Sequence, residues 1–261
     1  LSDWSSDVCS SDLRVIHGIL IIASVFLLIP SVSSLSMRQV TELSLTLSLS
    51  LISFMLLLIA VFLGGTSLWK DIERRYTFSV LGLPITRTSY LLGKFSGVAC
   101  FLLLTVVFLG VLAALCVAFT AILHPPDRPM VWANIGLAVL FDGFKYVLLM
   151  AFAFLFSTVS TSFFLPIFGT FAIFFVGSSS QGVYDYLHSA AGQDLSPLLK
   201  QMATLLYYIL PNFSAFDLKV NAIYGIPLSV TGLLLTLGYF LVYLAIVLTL
   251  AALVLQKREL K

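Results

Sequence analysis

Asp142 and Lys145 stand three residues apart inside the apolar run "VLFDGFKYVLL". At that spacing they share one face of a helix. Ionisable groups inside a membrane are costly and often functional. Two readings follow: a pair on a transport path, or a pair that neutralises itself in the outer headgroup region. Little else in the chain suggests chemistry. His17, His124 and His188 are scattered, with no second ligand three or four residues away, so a metal site is not expected. There is no HExxH, no Ser/His/Asp constellation and no phosphate-binding GxxxxGK[ST] loop. The chain is therefore expected to bind no cofactor of its own. Its three cysteines form neither a metal nor a disulfide pattern, and Cys100 and Cys116 read as small buried hydrophobes.

Charge concentrates in one place. The segment "KDIERRYTFSVLGLPITRTSYLLGK", residues 70–94, holds Lys70, Arg74, Arg75, Arg87 and Lys94 with Asp71 and Glu73. Ile72, Tyr76, Val80 and Leu83 recur every three or four residues, and acids in the first turn suit the helix dipole. Gly82 and Pro84 stop this piece, and the run Thr86-Arg87-Thr88-Ser89 caps the return into the next apolar run. The pattern predicts a short amphipathic helix parallel to the membrane, followed by a rigid turn.

The elements that must hold these residues are apolar. The 261-residue chain is 60% hydrophobic and 10% charged, with a mean hydropathy of +1.08. A soluble domain carries about 25% charged residues. Runs of about 18 or more apolar residues cross roughly 30 Å of hydrocarbon, and they recur along the chain. The fold class is an all-α polytopic membrane protein. A β-barrel would show strands of about ten residues with alternating polarity. Six spans are expected: 15–28, ending at Pro30; 43–64; 95–123; 135–156; 163–177, broken by Pro166 and Gly169; and 228–255. The opening of the second, "ELSLTLSLSLIS", alternates like a strand, but an unpaired strand in lipid leaves its backbone unsatisfied, so a helix is expected. Gly93 and Gly97 form a small-xxx-small pair of the kind that lets helices approach.

Residues 178–227 are more polar and face the outer side. Within them Leu195, Leu198, Leu199, Met202, Leu205, Leu206 and Ile209 line one face of a helix, with Lys200, Gln201 and Thr204 opposite. This is an amphipathic helix at the membrane surface, anchored by Tyr207 and Tyr208, or a short helix packed on the bundle. Six spans put both ends on one side. The charged loop and the tail, with Lys257, Arg258 and Lys261, carry most of the basic residues, so both ends lie in the cytoplasm by the positive-inside rule. A net charge of +2 gives no reason to expect nucleic acid.

Residues 3–13, "DWSSDVCSSDL", are Ser-rich and polar, unlike all that follows. They resemble the conceptual translation of a sequencing-library adapter. Residues 1–13 are thus set apart from the fold as an expected artefact, with the natural N-terminus missing. Residues 14–261 form a single transmembrane domain.

The segment from Asp71 to Gly97 resembles the intracellular loop between the second and third spans of type-2 ABC transporter permeases. The residues that match are Glu73, Arg74, Thr77, Leu83, Pro84, Thr86, Arg87, Tyr90, Gly93 and Lys94. The order of six spans and the stretch "ILPNFSAFD" before the last extend the resemblance over most of residues 14–261. It implies that the loop is a coupling helix docking in a separate ABC ATPase subunit, which holds the ATP and Mg. Glu73, Arg74, Arg75 and Arg87 would be its polar contacts, Phe78, Val80 and Leu83 its apolar knobs, and Pro84 its turn. A second permease copy, identical or related, would complete an exporter in the cytoplasmic membrane. Pro166 and Gly169 would kink the fifth span or form a gate. The alternatives are an ion-driven secondary transporter, for which Asp142 is the candidate acid, and a membrane assembly scaffold.

Overall fold

The computed structural model describes residues 24–26, 28–35, 39–73, 86–126, 129–160, 162–189 and 196–257. Residues 1–13, most of the span expected over 15–28, and Arg74, Arg75, Phe78, Val80, Leu83 and Pro84 lie outside them, as does the side chain of Glu73. The described residues form α1 (Ile29–Ser33), α2 (Val40–Leu58), a π-helical turn (Ile59–Leu63), α3 (Gly64–Glu73), α4 (Arg87–Leu123) and α5 (Trp132–Val159). Then come α6 (Phe164–His188), α7 (Pro197–Ile209), a 3-10 turn (Phe213–Phe216), α8 (Lys219–Tyr224) and α9 (Val230–Lys257). Five continuous helices among them are long and apolar enough to cross a membrane: Val40–Asp71, Arg87–Leu123, Trp132–Val159, Phe164–His188 and Val230–Lys257. The chain is an all-α polytopic membrane protein.

The five run up and down. At one end Trp69 meets Phe163, with ring centroids 5.8 Å apart. At the other end Thr41 Oγ1 donates to the carbonyl of His124. Within "ELSLTLSLSLIS" the serines at helical spacing, Ser44 and Ser48, are buried while Ser50 is exposed, and Ser44 Oγ shares a hydrogen bond with Thr120 Oγ1 at 3.2 Å. Ser44, Ser48 and Ser53 thus turn toward the protein, while Phe54 and Phe62 face outward together with Thr46 and Ser50. Backbone satisfaction within the helix overrides the period-two pattern.

Helix α5 is the axis of the bundle. Tyr146 through Ala151 are all buried, so no face of the helix is open there. It packs against α2, the π turn, α3, α4, α6, α8 and α9. Two glycines let α4 and α5 cross closely: a Cβ on Gly110 would stand 2.9 Å from Val139, and one on Gly143 would stand 3.0 Å from Val106. Gly64 plays the same part between α3 and α5, where a Cβ would fall 2.8 Å from Met150. Gly93 and Gly97, by contrast, face open space. Cys100 is exposed, not buried as expected; Cys116 is half-buried.

Two expectations about prolines are corrected. The fifth span is not broken: α6 continues from Phe164 to His188, well past the expected end at Gly177. Pro166 falls in its first turn, where backbone N–H groups have no partner inside the helix, so the missing donor costs nothing. Pro30 likewise opens α1 rather than ending a helix.

Helix α7 lies against α6 through Tyr207, with Lys200 and Thr204 half-buried and Gln201 exposed. Tyr207 stacks on Tyr184 at 4.3 Å and donates from its hydroxyl to Gln181 Oε1. Leu198, Leu199, Met202, Leu205, Leu206 and Ile209 are all exposed. Asn212, just past α7, also donates to Gln181, and its own N–H is accepted by Tyr239. This arrangement pins the amphipathic helix to the bundle and leaves its apolar face outward, as a helix at a membrane surface requires.

Candidate functional site

The charged segment is held at its root by side chains from helices that face each other across the loop. Helix α4 starts at the N-cap Thr86, whose Oγ1 accepts from the Ser89 N–H at 3.2 Å. The apolar run had suggested a start at residue 95, but the cap sets the start a full two turns earlier. A helix of 37 residues is about 55 Å long, against roughly 30 Å of hydrocarbon. Its first turns therefore project toward the charged loop. Tyr90 and Lys94, one turn apart there, both donate to Asp71 Oδ2 in the last turn of α3. The Asp71 and Lys94 side chains are 18% and 29% exposed, so this ion pair is partly shielded from water.

Arg87 points elsewhere. Its Nη1 donates to the carbonyls of Leu255 at 3.3 Å and Gln256 at 3.2 Å, in the last turn of α9. The last four carbonyls of a helix lack partners within it and carry the negative end of its dipole, so a guanidinium is well matched to that place. The first turns of α4 thus join α3 on one side and α9 on the other. The resemblance had offered Arg87 as a contact to an ATPase; here its acceptors lie within the chain.

The second cluster is buried between α2 and α5. Lys145 pairs with Asp142 Oδ1, Ser53 Oγ donates to Asp142 Oδ2, and the Lys145 ammonium lies 4.6 Å from the Tyr146 ring centre. Asp142 and Lys145 are 5% and 7% exposed. Asp142 lies about 15 Å along α5 from its first residue, well inside the bundle and away from either end of the helix. Both carboxylate oxygens are occupied and the two charges cancel, which lowers the cost of burying them. The π turn at Ile59–Leu63 begins within two helical turns of Ser53, and Ile59, Ala60 and Val61 in it are buried.

Pro166 and Gly169 lie packed against neighbouring helices. A Cβ on Gly169 would stand 3.0 Å from the Phe156 ring, and one on Gly65 would stand 3.4 Å from Pro166. Ser157 Oγ donates to the Gly65 carbonyl at 2.8 Å. These contacts fix α6 and α3 against α5.

Asp71 is the functional candidate that its sequence position alone did not reveal. It was expected in the first turn of a helix within the loop, but it stands in the last turn of α3, and its partners lie 19 and 23 residues away across the loop. Tyr90 and Lys94, four apart on one helix face opposite an acid, are the signal that points to it. Ser53 gave no signal, because serine recurs throughout α2.

No curated protein matches the chain. A family model described as ABC-2 family transporter protein matches residues 20–260. Permeases of this family are membrane transport components that work with ABC ATPase partners. With nearly its whole length matched, and with a bundle of membrane-crossing helices, this chain belongs to the ABC-2 transporter family as a transport permease.

Proposed function

We propose that this permease is driven by ATP hydrolysed in a separate ATPase subunit and exports its cargo across the cytoplasmic membrane. The observation that carries this reading is the braced root of the loop between α3 and α4, where Asp71, Tyr90 and Lys94 join the two limbs. A loop on a rigid stem can receive a push; a slack one would absorb it. Glu73, Arg74 and Arg75 supply polar contacts and Phe78, Val80 and Leu83 apolar ones, with Pro84 setting the turn. ATP and Mg belong to the partner, since this chain has no phosphate-binding loop. Two permease copies, identical or related, enclose the path between them, and the abundance of Phe suits apolar cargo. Lys70, Arg87 and Lys94 share one end of the bundle with Lys257, which supports placing that end in the cytoplasm.

The ion-driven alternative would use Asp142. Its carboxylate is fully engaged by Lys145 and Ser53, which favours a structural tie over a titrating carrier site. Pro166 and Gly169, packed against α3 and α5, favour a fixed α6 over a gate there.

The test is assembly. Phe78→Asp or Leu83→Asp should reduce recovery of an ATPase subunit with the solubilised permease by at least about tenfold, because burying such a side chain contributes about 1.5–3 kcal/mol. Undiminished recovery with both variants would remove the loop from the interface.

A further inference from the structure

We infer that the first two turns of α4 are a force-transmitting junction, in which Arg87 carries displacement of the charged loop to α9 and Asp71 keeps α3 in step. This rests on the coupling-loop reading above and deepens it. Arg87, Tyr90 and Lys94 follow one another at three and four residues, so a single stretch of one helix carries all three grips. Two of them close on Asp71 at the end of α3. The third closes on the terminal carbonyls of α9, 168 and 169 residues away.

The chemistry of the two grips differs, and so do their roles. The Asp71 site places one carboxylate oxygen between a hydroxyl and an ammonium, a charge-assisted arrangement that resists shear between α3 and α4. The Arg87 site is a cap: one guanidinium nitrogen bridges two successive carbonyls, which ties the start of α4 to the end of α9. A loop lying between Glu73 and Thr86 cannot shift Thr86 without moving Arg87, the next residue, and with it the last turn of α9. Arg87 is thus a positioning residue acting inside the permease. Its task is distinct from docking the ATPase.

The packing supplies a route onward. Buried Val247, Ala251 and Leu255 place the inward face of α9 against the bundle, and α9 packs on α5, the helix touched by most other elements. Movement at the end of α9 therefore reaches the central helix without passing through the loop's other limb.

The experiment uses the permease together with the ATPase subunit that co-purifies with it, in lipid nanodiscs. Cys9, Cys100 and Cys116 are first replaced by serine, and an environment-sensitive fluorophore is attached through Leu253→Cys, an exposed position on α9. ATP with vanadate is the stimulus. The parent chain should show a spectral shift. Arg87→Ala and Arg87→Gln should retain the ATPase subunit and its hydrolysis but lose the shift. Arg87→Lys, which keeps a cation near the carbonyls, should restore part of it. D71N should diminish the shift, and the charge-swapped pair D71K/K94D should recover it. Hydrogen exchange on the same samples should show amides of the last α9 turn exchanging about two- to fivefold faster in R87A, as expected when a helix C-terminus loses a cation from its carbonyls. An unchanged shift in R87A and R87Q overturns the inference. So does loss of the ATPase subunit from those two variants, which would make Arg87 a docking residue. Failure of the parent chain to retain any ATPase subunit instead overturns the coupling-loop reading itself, and this inference with it.

Discussion

At the level of single residues, the charges drawn into the bundle among the described residues stand in pairs, Asp71 with Lys94 and Asp142 with Lys145. Asp142 and Lys145 give the sharpest case, because neither can find water inside the bundle. Asp142→Asn leaves an ammonium without its counter-charge, and removing one partner of a buried pair costs about 3–5 kcal/mol. The double change D142L/K145M removes both charges and should recover most of that loss. Thermal unfolding of the purified permease measures both, and a D142N protein as stable as the parent would show that the pair bears no structural load. If D142N were stable but inactive in transport, the transport-path reading would gain instead. The spacing of these two residues was visible in the sequence. The third partner, Ser53, lies 89 residues away and became visible only in the packed bundle.

Among the elements, α7 shows how context turns a familiar pattern around. Its amphipathicity was legible from the spacing of Leu198, Met202, Leu205 and Ile209, but periodicity does not say which face meets the protein. Here Tyr207 and its hydrogen bond to Gln181 turn the side that carries Thr204 toward the bundle, and the apolar face stays exposed. A spin label or fluorophore at Met202→Cys should therefore be quenched by lipid-borne quenchers near the headgroups and poorly by aqueous ones, while one at Thr204→Cys should show the weaker lipid response. The reverse order would place α7 in water with a different surface covering it. Helix α6 teaches the complementary lesson. A proline and a glycine within four residues read as a break, yet at the start of a helix the same residues are tolerated, and the N-terminal position is what the apolar pattern failed to locate.

For the molecule as a whole, the distribution of basic residues makes a prediction about orientation. A membrane-impermeant thiol reagent applied to intact cells should label Lys200→Cys and spare Lys70→Cys, which should react only after the membrane is opened. Labelling of both from outside would contradict the proposed placement of both ends in the cytoplasm. That prediction, the all-α membrane-crossing body and the site of the charged loop all came from the sequence by itself. They depend on length, apolarity and local charge, which a bilayer reads one segment at a time. The tertiary structure alone decided that Asp71 meets Tyr90 and Lys94, that Arg87 caps α9, and that Asp142 finds Ser53. Such contacts join residues far apart in the chain, and they are selected by the angle and depth at which helices cross. Those follow from close approaches such as Gly110 on Val139 and Gly143 on Val106, whose effect exists only once both helices are in place.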